Sequence, residues 1–337
     1  MDYIAKLQKK MENKKLSKEY IRICTSYAKN LIDNNMPVIF DFHHLSLLLG
    51  LKPYELSLYL FSDESLFYNH IKIPKKSGGY RDIDVPSNKL KKIQKWILNN
   101  ILLKIEVHEK CFGFCKGKSI YDNASKHVGN DCVLNLDLKD FFPSISQKDV
   151  FYIFYNRGYT KKVSYYLAKL LTRDGKLPQG SPASPMVSNI VAKNLDKRLN
   201  LLAISWRANY SRYADDITFS GSEKVIELIP IISKIVEEEH FIINEKKTRY
   251  SYYYQRQEVT GLIVNKKVNI PKSFIKELKK EIYFCKKYGV SSHLEKIECN
   301  KSFFKEYLYG KVYFINMINK KLGNSLLKQL NEIEWDY

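Results

Sequence analysis

A lone aspartate at the end of one apolar strand and a pair of aspartates between two later strands constrain this chain most. The run 133–138 alternates as a β-strand does, so Leu134, Leu136 and Leu138 share one face. Asp137 points from the opposite face, away from the leucines. The strand therefore carries an acid out of the core that its leucines build.

The aspartate pair lies in the segment Tyr213-Ala214-Asp215-Asp216. Adjacent side chains of a regular strand project to opposite faces, so both acids approach one site only at a hairpin tip. The flanks 209–213 and 217–220 suit such a hairpin. Taken alone, two aspartates in a tight turn are most often ordinary turn chemistry.

Three carboxylates in one place repel one another and raise each other's pKa unless a cation lies between them. Mg²⁺ binds a few carboxylates together with substrate phosphates. Two such ions about 3.5–4 Å apart hold the attacking and leaving oxygens of a phosphoryl transfer. We therefore predict a site for two Mg²⁺ ions at Asp137, Asp215 and Asp216.

The charge of the chain favours nucleic acid as a partner. Its 337 residues include 56 Lys and Arg against 36 Asp and Glu, a formal charge of +20. The excess falls in patches along the chain, as a long binding groove requires, and an anionic membrane surface is the second candidate. The 25 tyrosines supply rings that stack on bases, although many of them fill the core.

Cysteine spacing and hydropathy exclude two further classes. The six cysteines include no Cys-x-x-Cys pair and no matching histidine spacing, which argues against zinc and for reduced thiols. No window approaches eighteen apolar residues, and the lysine-rich start lacks a signal sequence. We expect a soluble, cytoplasmic protein without membrane contact.

Hydrophobic periodicity divides the chain into helices and strands. The predicted helices lie within 1–60 and at 88–104, 146–173, 187–202, 223–239 and beyond 271. The predicted strands lie at 71–74, 80–85, 132–138, 209–213, 217–220, 240–244 and 259–264. The chain is long enough for two or three subdomains.

Four segments follow one another as in the palm of reverse transcriptases. They are the strand ending at Asp137, Leu177-Pro178-Gln179-Gly180, Tyr213-Ala214-Asp215-Asp216 and Asn244-Glu245-Lys246-Lys247-Thr248. Two more, Asn123-Ala124-Ser125-Lys126-His127 and Val259-Thr260-Gly261, resemble signatures of the bacterial retron enzymes. The chain thus resembles a retron reverse transcriptase over residues 70–265.

The resemblance implies an α+β right-hand polymerase fold with fingers, an antiparallel palm sheet and a basic helical thumb. The implied divisions are an N-terminal helical segment at 1–60, fingers at 61–135, a palm at 136–265 with a finger-like insertion at 143–180, and a thumb at 266–337.

The resemblance assigns roles to single residues. Asp137, Asp215 and Asp216, with the Leu138 carbonyl as an extra ligand, match the catalytic metal site. The residues that match nucleotide-binding positions are Lys75 (or Lys76), Arg81, Phe142, Gln179 and Lys247. Phe142 falls at the steric gate against a ribose 2′-OH, and Lys247 at the lysine that protonates pyrophosphate. Structural alternatives are a core aromatic for Phe142, a turn for Gln179 and solvated charges for the lysines.

The two retron signatures imply contacts with RNA. The matching residues are Asn123, His127, Val259, Thr260 and Gly261, of which the last three lie near the primer grip. Four-residue spacing also places Asn123 and His127 on one helical face, so a capping or buried hydrogen-bonded pair is the alternative. For the second signature, the alternative is a plain strand with a bulge.

The implied activity is RNA-directed DNA synthesis. A retron enzyme uses deoxynucleotide triphosphates to copy a cognate noncoding RNA from an internal guanosine 2′-OH, which leaves RNA branched to its DNA product. Such enzymes act in antiphage defence with an effector protein. The alternatives are another bacterial reverse transcriptase, a DNA-templated polymerase and a non-catalytic RNA-binding scaffold.

Overall fold

Four helices precede the first strand, as the periodicity of the first sixty residues predicts. They are α1 (Tyr3–Asn13), α2 (Lys18–Asp33), α3 (Phe42–Leu48) and α4 (Pro53–Phe61). Polar side chains cap two of them: Ser17 accepts the Tyr20 amide ahead of α2, and Asp41 accepts the His44 amide ahead of α3. The computed structural model describes residues 3–74, 78–298 and 303–335 of the chain.

A two-stranded hairpin follows, made by β1 (Tyr68–Pro74) and β2 (Tyr80–Pro86) in antiparallel register. It leads into α5 (Asn88–Asn100) and α6 (Ile120–Ser125). Buried Gln94 of α5 donates to the Tyr68 hydroxyl at 2.9 Å and to the Leu170 carbonyl at 3.1 Å. The hairpin base is thereby tied to the helices behind the central sheet.

The central sheet has the strand order β4-β5-β3-β6, and every neighbouring pair is antiparallel. Its strands are β3 (Cys132–Asp137), β4 (Asn209–Tyr213), β5 (Asp216–Gly221) and β6 (Arg249–Tyr252). The helices between them are α7 (Gln147–Tyr155), α8 (Lys161–Leu171), α9 (Ser184–Val191), α10 (Lys193–Ser205) and, after β5, α11 (Ile229–Glu238).

Strand β3 is buried on both faces, and its alternation agrees with the sequence. Leu134, Leu136 and Leu138 belong to the large core shared with the helices. Val133, which points the other way, belongs to a second core shared with the C-terminal helices. Each leucine buried in this way stabilises the fold by about 1.5–3 kcal/mol.

The last part of the described chain is a small hairpin and four helices around the second core. The elements are β7 (Glu258–Val259), β8 (Leu262–Ile263), α12 (Lys272–Tyr288), α13 (Val290–Lys296), α14 (Phe304–Ile318) and α15 (Lys320–Asn331). Leu278, Leu308 and Leu326 from three of these helices are fully buried together. The helical module predicted beyond residue 271 is confirmed.

Two predicted strands are wrong. Segment 240–244 forms only an isolated bridge, between Ile243 and Leu138, because β3 ends at Asp137 and offers no further strand to pair with. The fourth strand of the sheet is instead the tyrosine-rich β6.

Segment 259–264 is also not one strand. Thr260 (φ 46°) and Gly261 (φ 81°) are left-handed, which makes a two-residue hairpin turn that folds the segment back on itself. The resulting β7–β8 pair is a separate sheet.

Five of the six cysteines lie in the described ranges. The cysteines there, at positions 24, 111, 115, 132 and 285, are free thiols. Across the same ranges, every helix is too short or too polar to cross a membrane.

Candidate active site

The three predicted acids lie at one end of the central sheet. Asp137 ends β3 directly opposite Asp216, the first residue of β5. Directly opposed residues of an antiparallel pair have Cα atoms about 4.5–5.5 Å apart and side chains on the same face. Asp215 precedes β5, and its carbonyl accepts the Leu138 amide at 2.9 Å. The fold thus unites acids from distant parts of the chain.

The turn that carries Asp215 is tight and closely packed. Tyr213 pairs with Asp216, which leaves Ala214 and Asp215 as a two-residue turn. Ala214 has a φ of 58°, a left-handed conformation that L-residues other than glycine rarely adopt. Gly113 lies against this turn so closely that a Cβ there would be 2.5 Å from the Ala214 nitrogen.

A buried ion pair holds the turn from inside the core. The side chains of Arg212 and Asp196 have no exposed surface. Arg212 Nε and Nη2 donate to the two Asp196 carboxylate oxygens at 2.7 Å each. The remaining Nη1 donates to the Ala214 carbonyl at 2.9 Å. The guanidinium therefore links helix α10 to the turn beside the acids.

Two neighbours complete this contact. Asn189 of α9 accepts from Arg212 Nη1 at 3.2 Å and donates to the Gly113 carbonyl at 2.8 Å. The Tyr210 hydroxyl donates to Asp196 at 2.6 Å. The sequence analysis missed this set of residues. Its one signal was an arginine inside a strand whose neighbours are otherwise apolar or small.

The negative charges of the clustered acids are only partly balanced by the positive charges near them. The pKa of Asp216 is raised to about 6, mainly by withdrawal of the carboxyl group from water and secondly by the charges of Asp215 and Asp137. The residue as a whole still has exposed surface. Withdrawal from water and the charge of Asp137 raise the pKa of Asp215 as well. Lys247 and Arg81 oppose the shift at Asp215. The site therefore favours positive charge.

Lys247 already contacts one acid. Its Nζ lies 2.9 Å from both carboxylate oxygens of Asp137, while the Asn244 amide group donates to the same carboxylate at 3.2 Å. The hydrogen bond that Lys247 donates to Asp137 raises the pKa of the lysine, so its ammonium remains protonated at neutral pH. The lysine that the sequence analysis assigned to the site lies directly beside the first acid.

The other residues predicted to bind the nucleotide lie in separate parts of the chain. Phe142 is half-buried, with its ring centroid 5.6 Å from that of Phe141. Gln179 accepts the Asp84 amide of β2 at 2.7 Å through its backbone carbonyl. Arg81 is an exposed residue of the same strand, and its charge reaches Asp215. Lys75 lies outside the described residues.

The comparisons with known proteins decide the family. The model for reverse transcriptase (RNA-dependent DNA polymerase) matches residues 73–273. Retron Ec86 reverse transcriptase of Escherichia coli is 33% identical over 327 residues, which cover 95% of this chain and 96% of that protein. This chain belongs to the reverse transcriptase family, among the retron enzymes.

Other relatives differ more in length or sequence. Retron Mx162 reverse transcriptase of Myxococcus xanthus is 33% identical over 325 residues, covering 85% of this chain and 65% of that protein. A solved telomerase of Candida albicans is 13% identical, with a TM-score of 0.45 over 80% of this chain and 61% of that one, and supports no argument.

Family membership makes this retron reverse transcriptase an RNA-directed DNA polymerase with the predicted α+β right-hand fold. The division of the chain into an N-terminal segment, fingers, palm and thumb stays a prediction.

The acids of this reverse transcriptase suit divalent ions, which the family generally uses. Within 3–74, 78–298 and 303–335, however, no three His, Cys, Asp or Glu side chains are arranged to hold an ion. The Lys247 ammonium lies within hydrogen-bond distance of both oxygens of Asp137. Hard carboxylate oxygens and raised carboxyl pKa values nevertheless fit a cation such as Mg²⁺.

The two retron signatures meet in the structure. The Asn123 side-chain amide lies 3.5 Å from the Thr260 hydroxyl, which lies 3.5 Å from the Ile120 carbonyl. Asn123 is buried, and its Oδ1 has no hydrogen-bond partner. Val259 is buried, whereas Gly261 is exposed in the turn. The exposed parts of the two signatures are therefore Ser125 and Lys126 in the first and Gly261 in the second.

His127 does not reach the surface at all. Its Nδ1 and Nε2 each lie 2.7 Å from a serine hydroxyl, those of Ser220 and Ser211. Burial lowers the pKa of His127 to about 3, so the ring is neutral. As placed, His127 ties the loop after α6 to strands β4 and β5, which is the buried alternative that the spacing left open.

We expect His127 to make stability pH-dependent. The unfolded chain binds a proton near pH 6.5, but the folded ring binds one only near pH 3. Above pH 6.5 the group has no pH effect. Below pH 6.5, His127 is protonated in the unfolded chain but not in the folded one. The free energy of unfolding therefore falls by about 1.4 kcal/mol per pH unit, down to about pH 3.

The variant His127→Gln lacks this titration. At pH 7 it should be less stable than the wild type by about 1–3 kcal/mol, because buried hydrogen bonds are lost. Denaturant unfolding of both proteins between pH 4 and pH 7 measures the difference, which should shrink as the pH falls. A difference that stays constant with pH would contradict the assignment.

Proposed function

We propose that this enzyme copies a cognate noncoding RNA into DNA at Asp137, Asp215 and Asp216. The observation that supports this most is the convergence of the three acids at the β3–β5 end of the sheet. Withdrawal from water, together with their mutual repulsion, raises the pKa of Asp216 and Asp215, so the apposition needs a reason other than stability. Binding of cations that carry a nucleotide supplies that reason.

Two Mg²⁺ ions would be held by the three carboxylates, with the Leu138 carbonyl as an extra ligand. When bound, such ions activate the attacking hydroxyl and neutralise charge on the triphosphate. The chain's own residues do the rest of the work. Lys247 must release Asp137, and its ammonium, next to the site, carries a proton suited to departing pyrophosphate.

The fingers residues would bind the deoxynucleotide triphosphate. Arg81, exposed on β2 and close enough to act on Asp215, suits a phosphate, which guanidinium binds in bidentate fashion. Lys75 is assigned to the same role from its sequence position. Gln179 lies in the loop that β2 touches, since its carbonyl accepts the Asp84 amide. The hairpin and this loop would therefore move together around the nucleotide.

The retron relatives support a more specific proposal. We infer priming from an internal 2′-OH, branched RNA-DNA as product, and antiphage action in the cytoplasm with an effector protein. Asn123, His127 and the turn Val259-Thr260-Gly261 would serve RNA recognition. In that arrangement, Thr260 and Gly261 face the RNA and Asn123 lies behind Thr260, while His127 fixes the loop after α6 on strands β4 and β5.

The double variant Asp215→Asn with Asp216→Asn tests the site. We expect labelled deoxynucleotide incorporation on a poly(rA)–oligo(dT) template to fall by at least about a hundredfold. RNA affinity should change little, and stability should not decrease, because the variant removes carboxylates whose charge burial disfavours.

Asp131→Asn, an exposed acid just before the opposite end of β3, is the matched control and should keep full activity. Wild-type-like incorporation by the double variant would refute the assignment. A wild-type protein that binds RNA but makes no DNA would favour the scaffold alternative.

Phe142 is proposed to exclude ribonucleotides. Its ring is half-buried and braced by Phe141, so it has little freedom to yield to a 2′-hydroxyl. In Phe142→Ala, the ratio of kcat/KM for deoxynucleotides over ribonucleotides should fall at least about tenfold. Phe61→Ala, a phenylalanine exposed on α4, serves as the control. Unchanged sugar selectivity in Phe142→Ala would remove the gate role.

A further inference from the structure

Four tyrosines form a cluster on β6 and the turn after it. We call Tyr250, Tyr252, Tyr253 and Tyr254 the tyrosine cluster. Tyr252 and Tyr254 are stacked, with ring centroids 5.6 Å apart and planes 17° apart. Tyr253 meets Tyr254 edge-on at 5.4 Å, and Tyr250 meets Tyr252 in the same manner at 5.7 Å. The rings therefore make a continuous aromatic surface.

The outer rings of the cluster are open to solvent and held in place. Tyr254 is 68% exposed and Tyr253 63%, whereas Tyr252 packs on the large core. The Asn265 side-chain amide donates to the Tyr253 carbonyl at 3.0 Å and to the Gln255 carbonyl at 2.6 Å. The turn is thus fixed in advance, and a planar group can continue the stack on Tyr254 without ordering a loop.

The cluster lies outside the catalytic site. Tyr250 is directly opposite Leu134 in the sheet register, so it shares the leucine face rather than the Asp137 face. Strand β6 is also the edge of the sheet. The peptide group between Ser251 and Tyr252 is bonded by two side chains: Gln255 Oε1 accepts the Tyr252 amide at 3.0 Å, and Gln257 Nε2 donates to the Ser251 carbonyl at 3.2 Å.

The charge around the cluster suits phosphates. Residues 246–256 contain four basic side chains and no acidic one. Of the acids nearby, Glu258 is paired with Arg256 at 2.7 Å, and Glu223 acts on the inner Tyr252. Exposed rings among Lys and Arg are the means by which proteins hold single-stranded nucleic acid, through stacking that tolerates any base.

We propose that the tyrosine cluster is a stacking surface for unpaired nucleotides of the RNA, separate from the template–primer site. This rests on the proposed function in one respect, that RNA is the partner. Bases stack on Tyr254 and against Tyr253, while Lys246 contacts the backbone phosphates. The surface would anchor a single-stranded stretch of RNA at the outer edge of the palm while the acids copy another.

Fluorescence anisotropy with a labelled oligouridylate and an RNA duplex of equal length tests the surface. Tyr253→Ala with Tyr254→Ala should weaken oligouridylate binding about tenfold or more, because a base loses its ring partner. Tyr253→Phe with Tyr254→Phe should bind as the wild type does, since the ring faces remain. Tyr54→Ala, which removes a similarly exposed tyrosine of α4, is the matched control, and duplex affinity should stay constant throughout.

Photo-crosslinking to 4-thiouridine RNA gives a readout that needs no variant. The peptide that contains residues 250–254 should carry the crosslinked nucleotide in the wild-type protein. Two results would overturn the proposal: wild-type oligouridylate affinity in the alanine variant, or no crosslink in that peptide. Loss of binding to a protein partner in the alanine variant, with RNA affinity intact, would overturn it as well.

DNA synthesis by the wild-type protein on poly(rA)–oligo(dT) distinguishes failure of this proposal from failure of the proposed function. If the wild-type protein synthesises DNA, only the stacking surface has failed.

Discussion

The bidentate ion pair of Arg212 with Asp196 is the contact on which the geometry of the active site depends. Burial opposes the charge of Arg212, yet the carboxylate of Asp196 raises its pKa above the ordinary value. Removal of one partner from such a pair costs about 3–5 kcal/mol, because the other charge is left buried and unpaired. The guanidinium cannot lose its proton, so it persists as a fixed donor to the Ala214 carbonyl. A strained turn that carries two repelling acids is thereby held in one conformation.

The features that bring the acids together lower the stability of the turn that carries them. Ala214 adopts a left-handed conformation, Gly113 is pressed against it, and Asp215 and Asp216 have raised pKa values. Each of these features is unfavourable by itself and persists only where surrounding structure determines it. The buried ion pair and the β3–β5 register supply that constraint. The end of the sheet that carries the three acids is therefore held in shape by the packing of the chain itself.

Local patterns predicted the elements better than the contacts between them. Alternation in 133–138 placed Asp137 correctly, and the neighbouring acids at 215–216 indicated a hairpin, because both inferences rest on strand geometry alone. The partnership of Arg212 with Asp196 joins a strand to a helix; an arginine inside a strand indicates that a partner is needed, but neither segment shows which residue it is. Likewise, His127 matched a family motif, but its burial between Ser211 and Ser220 depends on how α6 docks on the sheet.

The two wrong strands have a similar origin. The apolar run 240–244 has the composition of a strand, yet β3 ends too early to pair with it, whereas the tyrosines of β6 find Cys132 and Leu134 as partners. Pairing at the sheet edge depends on where the neighbouring strand stops, which a single segment does not encode. Thr260 and Gly261, whose left-handed turn divides 259–264, carried a usable signal in the glycine.

The most direct test of the account is the Mg²⁺ dependence of DNA synthesis by Arg212→Lys. Lysine keeps the charge beside Asp196 but cannot also reach the Ala214 carbonyl in the fixed fork geometry of arginine. With a far-ultraviolet circular dichroism spectrum like that of the wild type, we predict a rate about tenfold to a hundredfold lower and a higher Mg²⁺ concentration for half-maximal synthesis. Arg198→Lys, in the more exposed ion pairs of α10 with Glu238 and Glu239, should leave both quantities unchanged. A folded Arg212→Lys protein with the rate and Mg²⁺ requirement of the wild type would contradict the account.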